Sequence, residues 1–250
     1  VNDGTDSSAP ISTTVTLNTI NNRPVIGKGV STLIFTEGDG PSVLDASLNF
    51  NDVDNSSIES ASIQISANHQ ATQDVLGFID QNNISGSYNS VTGMLSLSGS
   101  DSLENYRTAL ASITYNNISE NPITTARTIT WLVNDGTDSS RPINTSVTLN
   151  AINDRPVLGN TGGTLAFTEG DGPSILDPSM SLSDVDHGTI ESANLRISAN
   201  YNAAEDVLGF IDQNNISGVF DRTTGVLSLS GSDSLANYRS ALGSITYNNI

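Results

Sequence analysis

The residues of this chain whose types and spacing could do chemistry are acidic, and they recur. Asp52-Val53-Asp54 and Asp184-Val185-Asp186 each set two carboxylates two residues apart. In a strand that spacing puts both on one face, and in a turn it lets both reach one ion. Glu37 with its counterpart Glu169, Asp135 within Val-Asn-Asp-Gly, and the pair Asn153-Asp154 offer the same kind of oxygen. Calcium takes roughly six to eight oxygens and mixes carboxylates with amide and backbone carbonyls. The set therefore suits Ca2+. Asp and Asn also favour turns through Asx hydrogen bonds, so any one of these residues is equally a turn-former. An EF-hand is excluded, because Ser57 stands where that loop needs Gly.

Other chemistries have less to stand on. The chain has no Cys, which removes disulfides, thiolate catalysis and Cys-based zinc sites. His69 and His187 are paired by the repeat with Tyr201 and Asn55, so neither histidine recurs. There is no G-x-S-x-G elbow among the many serines. Paired carboxylates can cleave glycosidic bonds, but near-identical tandem copies point to a structural unit, and no enzyme is expected. Trp131, in an apolar run, reads as core rather than as a sugar platform.

The balance of 9 basic against 27 acidic residues gives a net charge of −18. That repels polyanions, so nucleic acid and anionic membrane surfaces are poor partners. No apolar run is long enough to span a bilayer, so no direct membrane insertion is expected. The opening Val1-Asn2-Asp3-Gly4 has none of the features of a signal peptide. It reads as the middle of something longer.

These residues are positioned by a repeat. At an offset of 132, residues 1–118 match 133–250 without a gap, and roughly 82 of the 118 pairs are identical. A period this long is a whole domain, so the chain is a tandem array. The Pro-containing stretches Asn21-Asn22-Arg23-Pro24 and Asn153-Asp154-Arg155-Pro156 read as short, stiff connectors. Residues 1–22 are then the C-terminal strand of a preceding repeat, with Val15 and Leu17 alternating. Residues 23–154 are a complete repeat, and 155–250 are a second one truncated at its C-terminus.

Within a repeat, Ala61, Ile63, Ile65 and Ala67 alternate with polar residues, predicting a strand with one face buried. Ala193, Leu195, Ile197 and Ala199 keep that face in the second copy. Residues 85–98 predict a hairpin turning near Asn89 to Gly93. Residues 128–133, TITWLV, predict an inner strand. Leu103, Tyr106, Leu110 and Ile113 fall on helical spacing near their start, behind caps at Asp101 or Ser102, and the short helix runs into a strand at 112–116. The fold class is all-β: tandem β-sandwich domains of about seven strands, each with one short helix.

The order Glu37, Asp52-x-Asp54, hairpin, Asn134-Asp135-Gly136, then Asn153-Asp154-x-Pro156-Val157 resembles the cadherin repeat. It more closely resembles the bacterial cadherin-like tandem repeats of large secreted or surface adhesins, the RTX-type repetitive exoproteins. Phe35 to Pro41, Leu95 to Gly99, Asn105 to Leu110 and Ile113 to Tyr115 are similar to phrases of those repeats, and the likeness covers essentially the whole chain. It implies a cadherin-like or Ig-like sandwich with calcium between consecutive domains. The junction at Asn153-Asp154 would draw Glu37 from one repeat and Asp184 and Asp186 from the next; the other junction would use Asn22, Asp52, Asp54 and Asp135. The sequence departs from the cadherin pattern in three places. Thr19 and Ala151 replace a linker Asp, Ser-Gly-Ser-Asp replaces a Leu-Asp-Arg-Glu segment so that only Asp101 or Asp233 could substitute, and Asn22 replaces another linker Asp. Fewer carboxylates imply one or two weakly held ions per junction.

The resemblance implies a calcium-rigidified stalk segment of an extracellular bacterial adhesin mediating cell or surface attachment. Its partners would be neighbouring repeats of the same chain, together with surface glycans or another cell-surface protein. A carbohydrate-binding module of a secreted multidomain protein is the alternative. It would need exposed aromatics in both copies, and Tyr88 is replaced by Phe220.

Overall fold

A computed structural model describes residues 1–27, 32–160 and 162–250. The chain divides into two units. The first comprises Val1–Phe35, Asp39–Ile118 and Thr124–Leu149; the second comprises Thr36–Gly38, Ser119–Ile123 and Asn150–Ile250.

The first unit contains β1 (Val25–Gly27), β2 (Thr32–Thr36), β3 (Ser42–Val43), β4 (Asn49–Asn51), β5 (Ser57–Ala67), β6 (Asp74–Gly77), β7 (Ser85–Asn89) and β8 (Met94–Ser102). Helix α1 (Leu103–Ala111) and strands β9 (Thr114–Asn117), β10 (Arg127–Asn134) and β11 (Ile143–Asn150) follow. One sheet has the order β2-β11-β10-β5-β8-β7, a second has β3-β9-β6, and β1 pairs with β4. Both sheets feed one core. Ile63 and Ile65 of β5, Ile129 and Trp131 of β10, Val147 and Leu149 of β11, and Leu76 and Tyr115 of the smaller sheet are all buried. Each such aliphatic side chain contributes about 1.5–3 kcal/mol of transfer free energy. The all-β sandwich with one short helix is as the sequence reads, with the strands shorter and more finely divided than seven.

Local chemistry explains the joins. Ser102 is the N-cap of α1, its side chain accepting from the Asn105 N–H, and Tyr106, Ala109 and Leu110 form the buried face. In the β7–β8 turn the Asn89 Oδ1 accepts from the Val91 and Thr92 N–H groups. Gly99 sits beside a register irregularity in the β5–β8 pairing, at φ +121°. A Cβ there would lie 1.9 Å from the Asn83 carbonyl oxygen, so only glycine lets β8 pass.

The second unit contains β12 (Val157–Gly159), β13 (Ser174–Ile175), β14 (Ser181–Ser183), β15 (Thr189–Arg196), β16 (Asp206–Gly209), β17 (Ser217–Asp221), β18 (Val226–Ser234), α2 (Leu235–Gly243) and β19 (Thr246–Asn249). They pair as β12-β14, β13-β19-β16 and β15-β18-β17. Leu182, Leu208, Leu227, Leu229 and Tyr238 anchor its core.

Two expectations change here, and the two units differ in a third place: residues 164–168, the counterparts of β2, form no strand. Strand β15 ends at Arg196, and Ala193, Leu195 and Ile197 are only half-buried, whereas Ala61, Ile63 and Ile65 are buried. Residues 9–24 also form no strand, and Val15 and Leu17 are exposed. In the first unit β2 neighbours β11, and β10 flanks β5; among the described residues 9–24 and 164–168 have no such neighbour, and β15 pairs on one side alone. A strand without a ladder partner leaves its backbone groups to water and stays irregular.

Candidate cation-binding sites

In the first unit the candidate ligands gather around the connector that precedes β1. Asp52 Oδ1 accepts from the N–H groups of Asp54 (3.2 Å) and Asn55 (2.9 Å), an Asx turn that holds the Asp-Val-Asp segment folded. Asp135 Oδ1 does the same for Thr137 and Asp138, both at 2.7 Å. Asn22 donates to Asp54 Oδ2 through its backbone N–H (2.9 Å) and its side-chain amide (3.2 Å). Asn21 donates to both Asp135 Oδ2 (3.0 Å) and Asp138 Oδ2 (3.1 Å), and accepts from Asn55 Nδ2 at 3.0 Å. The resemblance implied Asn22, Asp52, Asp54 and Asp135 as one set. Hydrogen bonds join Asn22, Asp54 and Asp52 to one another, and Asn55 and Asn21 link them to Asp135 and Asp138.

Local hydrogen bonds favour the charged form of two of these carboxyls, Asp54 and Asp135. The Asn22 N–H holds the Asp54 carboxyl below its ordinary value of 3.8. Burial pushes Asp135 up, but the Asp138 N–H, the Asn21 amide and the Thr137 N–H outweigh it, so its carboxyl also sits low. Asp52 is 8 % exposed, and its Oδ2 is buried with no hydrogen-bond partner. A buried carboxylate oxygen with no partner among the described residues costs on the order of 1–3 kcal/mol or more. A hard cation would satisfy it, and Asp54, Asp135 and Asp138, hydrogen-bonded into the same network, offer oxygens of the type calcium prefers; the described groups with three ligand atoms within 4.8 Å of one another lie elsewhere.

The second unit repeats part of this pattern. The Asp154 N–H donates to Asp186 Oδ2 at 2.5 Å, the same bond that Asn22 makes to Asp54. Asp184 Oδ1 accepts from the N–H groups of Asp186 (2.9 Å) and His187 (2.7 Å). Ligand atoms of Asp184, Asp186 and His187 lie within 4.8 Å of one another, as do those of Glu37, Glu120 and Asp154. Glu37 is buried, and its Oε2 accepts from the Ile152 N–H at 2.8 Å. Asp154 thus belongs to one group by its carboxylate and touches the other by its backbone.

Not every expected ligand joins. Asn153 turns its amide onto the Asp154 carbonyl. Glu169 is exposed and in neither group. Asp101, the suggested substitute in the altered segment, is occupied locally by the Asn83 and Ser102 N–H groups and the Asn105 amide. Asp233 is held in the same way by Asn215, Ser234 and Asn237.

Sequence reasoning passed over Asn21, Asn55, Asp138 and Glu120, and set His187 aside. Asp138 had a signal, since Asn-Asp-Gly-Thr-Asp places it three residues from Asp135 and in reach of the same turn. Glu120 had none, because its counterpart lies outside the repeat overlap.

Residues considered for other roles are accounted for by packing. Trp131 is 1 % exposed and donates from Nε1 to Thr145 Oγ1 at 3.0 Å. Tyr88 packs against the core and donates to the Asp74 carbonyl. His69 lies against Gly93, and Tyr201 lies in the same way against Gly225.

No family model matches the sequence, and no curated protein matches it. Among solved structures, the chain is similar to extracellular cadherin domains 1–5 of protocadherin gamma B2 at 10% identity, TM-score 0.26, covering 86% of this chain and 33% of that one. It is similar to domains 4–9 of surface layer protein SbsC at 11% identity, TM-score 0.23, covering 87% and 28%. It is similar to domains EC1-3 of mouse clustered PcdhgC3 at 14% identity, TM-score 0.27, covering 86% and 59%. The chain spans about a third of the first of these chains and less of the second. By its own strand pairing and shared core, it is an all-β protein built of repeated sandwich units.

Proposed function

We propose that this chain is a structural repeat of an extracellular stalk, a segment of a cadherin-like adhesin whose connectors are stiffened by calcium. The repeat boundaries fall at the connectors, with repeats at 23–154 and 155–250. The observation that carries the reading is the buried Asp52 Oδ2, which has no hydrogen-bond partner among the described residues. Asp52, Asp54, Asp135 and Asp138, with amide oxygens of Asn21, Asn22 and Asn55, would hold one cation. Glu37, Glu120, Asp154, Asp184 and Asp186 would hold the next. The ion supplies positive charge that several carboxylates share, and nothing else.

The protein's own residues do the remaining work. Two Asx turns fix the carboxylates before any ion arrives, which lowers the ordering cost of binding. The backbone N–H of Asn22 or Asp154 ties the connector to the second Asp of each Asp-Val-Asp segment. Without cation, these carboxylates repel one another and loosen the connector. With it they converge and the connector is held. Attachment would come from the array that such repeats extend, with surface glycans or a cell-surface protein as the ligand.

Thermal unfolding in excess EGTA and then in calcium tests this. For a dissociation constant of about 10⁻³ M, typical of extracellular modules, roughly 10 mM calcium adds about 1.4 kcal/mol per site. A rise of several degrees with calcium and none with magnesium is expected. An unchanged melting temperature would reduce the acidic residues to turn-formers.

A further inference from the structure

One residue separates the Asp-Val-Asp turn of the second unit from its counterpart in the first. After Asp52-Val53-Asp54 comes Asn55, whose amide donates to Asn21 Oδ1 at 3.0 Å. After Asp184-Val185-Asp186 comes His187. Asn153, the counterpart of Asn21, turns its amide onto the Asp154 carbonyl instead. The His187 ring makes no hydrogen bond among the described residues; its one polar neighbour there is Asp184, with Nδ1 3.7 Å from Oδ1. An imidazole nitrogen therefore stands beside two carboxylates with nothing in the unit to occupy it.

The turn holds these donors ready. The Asp184 side chain is only 3% exposed; its Oδ1 takes the Asp186 and His187 N–H groups, and its Oδ2 accepts no hydrogen bond among the described residues. A carboxylate oxygen on so buried a side chain lacks most of the water that would otherwise satisfy it. Asp186 is fixed by the Asp154 N–H on its Oδ2. Ligand atoms of Asp184, Asp186 and His187 lie within 4.8 Å of one another. Around a tetrahedral zinc ion, with bonds of about 2.0–2.2 Å, neighbouring donor atoms sit about 3.4 Å apart. The Asp184–His187 edge is already close to that, and the His187 side chain, 57% exposed, is free to turn and close the rest.

The donor set decides the metal. Calcium takes oxygens, whereas an imidazole nitrogen suits zinc, copper and nickel. We propose that Asp184, Asp186 and His187 form a site for a borderline divalent metal such as zinc, with water completing the coordination. The first unit has the same two carboxylates, but Asn55 offers no such nitrogen, so the two repeats differ in the ion they select. The inference goes beyond the calcium reading, because it needs none of Glu37, Glu120 or Asp154. The two ions would compete only for Asp184 and Asp186.

The test is titration of the 250-residue chain with zinc chloride in calcium-free buffer, read by calorimetry and by the ring nitrogen resonances of its 2 histidines. The expected result is saturable binding that shifts the His187 ring and leaves His69, packed against Gly93, unmoved. His187→Asn restores the first unit's residue at an exposed position, so the variant folds. It should bind zinc at least about tenfold more weakly, since losing a ligand costs no less than losing a ligand's hydrogen-bond partner. A parent that binds no zinc at submillimolar concentration, a His187 ring that does not move, or equal affinity in parent and variant overturns the proposal. None of these outcomes bears on the calcium reading, which is judged by melting in calcium against EGTA.

Discussion

Removing Arg127 should cost the first unit more than any change at its surface. The guanidinium is fully buried and pairs with Asp74, itself 1 % exposed, through Nε to Oδ2 at 2.9 Å and Nη2 to Oδ1 at 3.2 Å. Tyr115 Oη (2.6 Å) and Asn117 Nδ2 (2.9 Å) also donate to Asp74 Oδ1, and the Gln70 N–H donates to Oδ2 at 2.8 Å. In Arg127→Met these three neutral donors remain, but the carboxylate loses its only charged partner among the described residues. Breaking a buried pair from one side costs about 3–5 kcal/mol, because the remaining charge is stranded. For a unit of this size each kcal/mol is worth roughly 3–4 °C, so the melting temperature should fall by about 9–20 °C.

The pH dependence adds a sign. Burial pushes Asp74 up, but the Arg127, Tyr115 and Gln70 hydrogen bonds outweigh it, so its folded value lies below the ordinary 3.8. The parent therefore keeps the full contribution above that ordinary value and loses it as pH falls through the lower folded one. In Arg127→Met burial is no longer offset by a cation, the folded value moves up, and protonation relieves the penalty. Calorimetry from about pH 7 to 4.5 should show the gap between parent and variant narrowing as pH falls. A loss under about 1 kcal/mol at pH 7, or a gap independent of pH, would refute the stranded-charge argument.

Gly99→Ala should destabilise the first unit by about 2–4 kcal/mol in chemical unfolding, since a Cβ meets the Asn83 carbonyl and φ is +121°. Trp131→Phe should cost about 2 kcal/mol by the same assay, from lost volume and a Thr145 hydroxyl left without its indole donor. Because Asp54 and Asp135 are held below the ordinary carboxyl range, the calcium-induced rise in melting temperature should persist to about pH 5; its disappearance near pH 6 would contradict that.

Period and punctuation made much of the fold readable. Two-residue alternation marked β5, β-branched and aromatic residues marked β10, Asn89 and Gly93 marked the hairpin turn, and Ser102 with Tyr106 and Leu110 marked α1. Each depends on neighbours within a few residues. What stayed hidden depends on distant partners. Residues 11–18 and 164–168 have strand sequences and form no strands, because a strand is defined by its ladder. Asp74 and Arg127 are 53 positions apart, and nothing local in either marks a buried pair. The candidate site divides in the same way. Asp-Val-Asp and Asn-Asp-Gly announce themselves as turns rich in carboxylates, whereas Glu120 reaches Glu37 and Asp154 only through the fold.

The central claim is that these turns hold calcium, and equilibrium dialysis with radiolabelled calcium against Asp52→Asn tests it most directly. The amide keeps the Oδ1 that Asp54 and Asn55 donate to, so the Asx turn survives, while the unpartnered oxygen and its charge are removed. The account predicts saturable binding to the parent at millimolar calcium, and at least one fewer ion bound by the variant. Binding that rises linearly without saturation, or is identical in parent and variant, would contradict it.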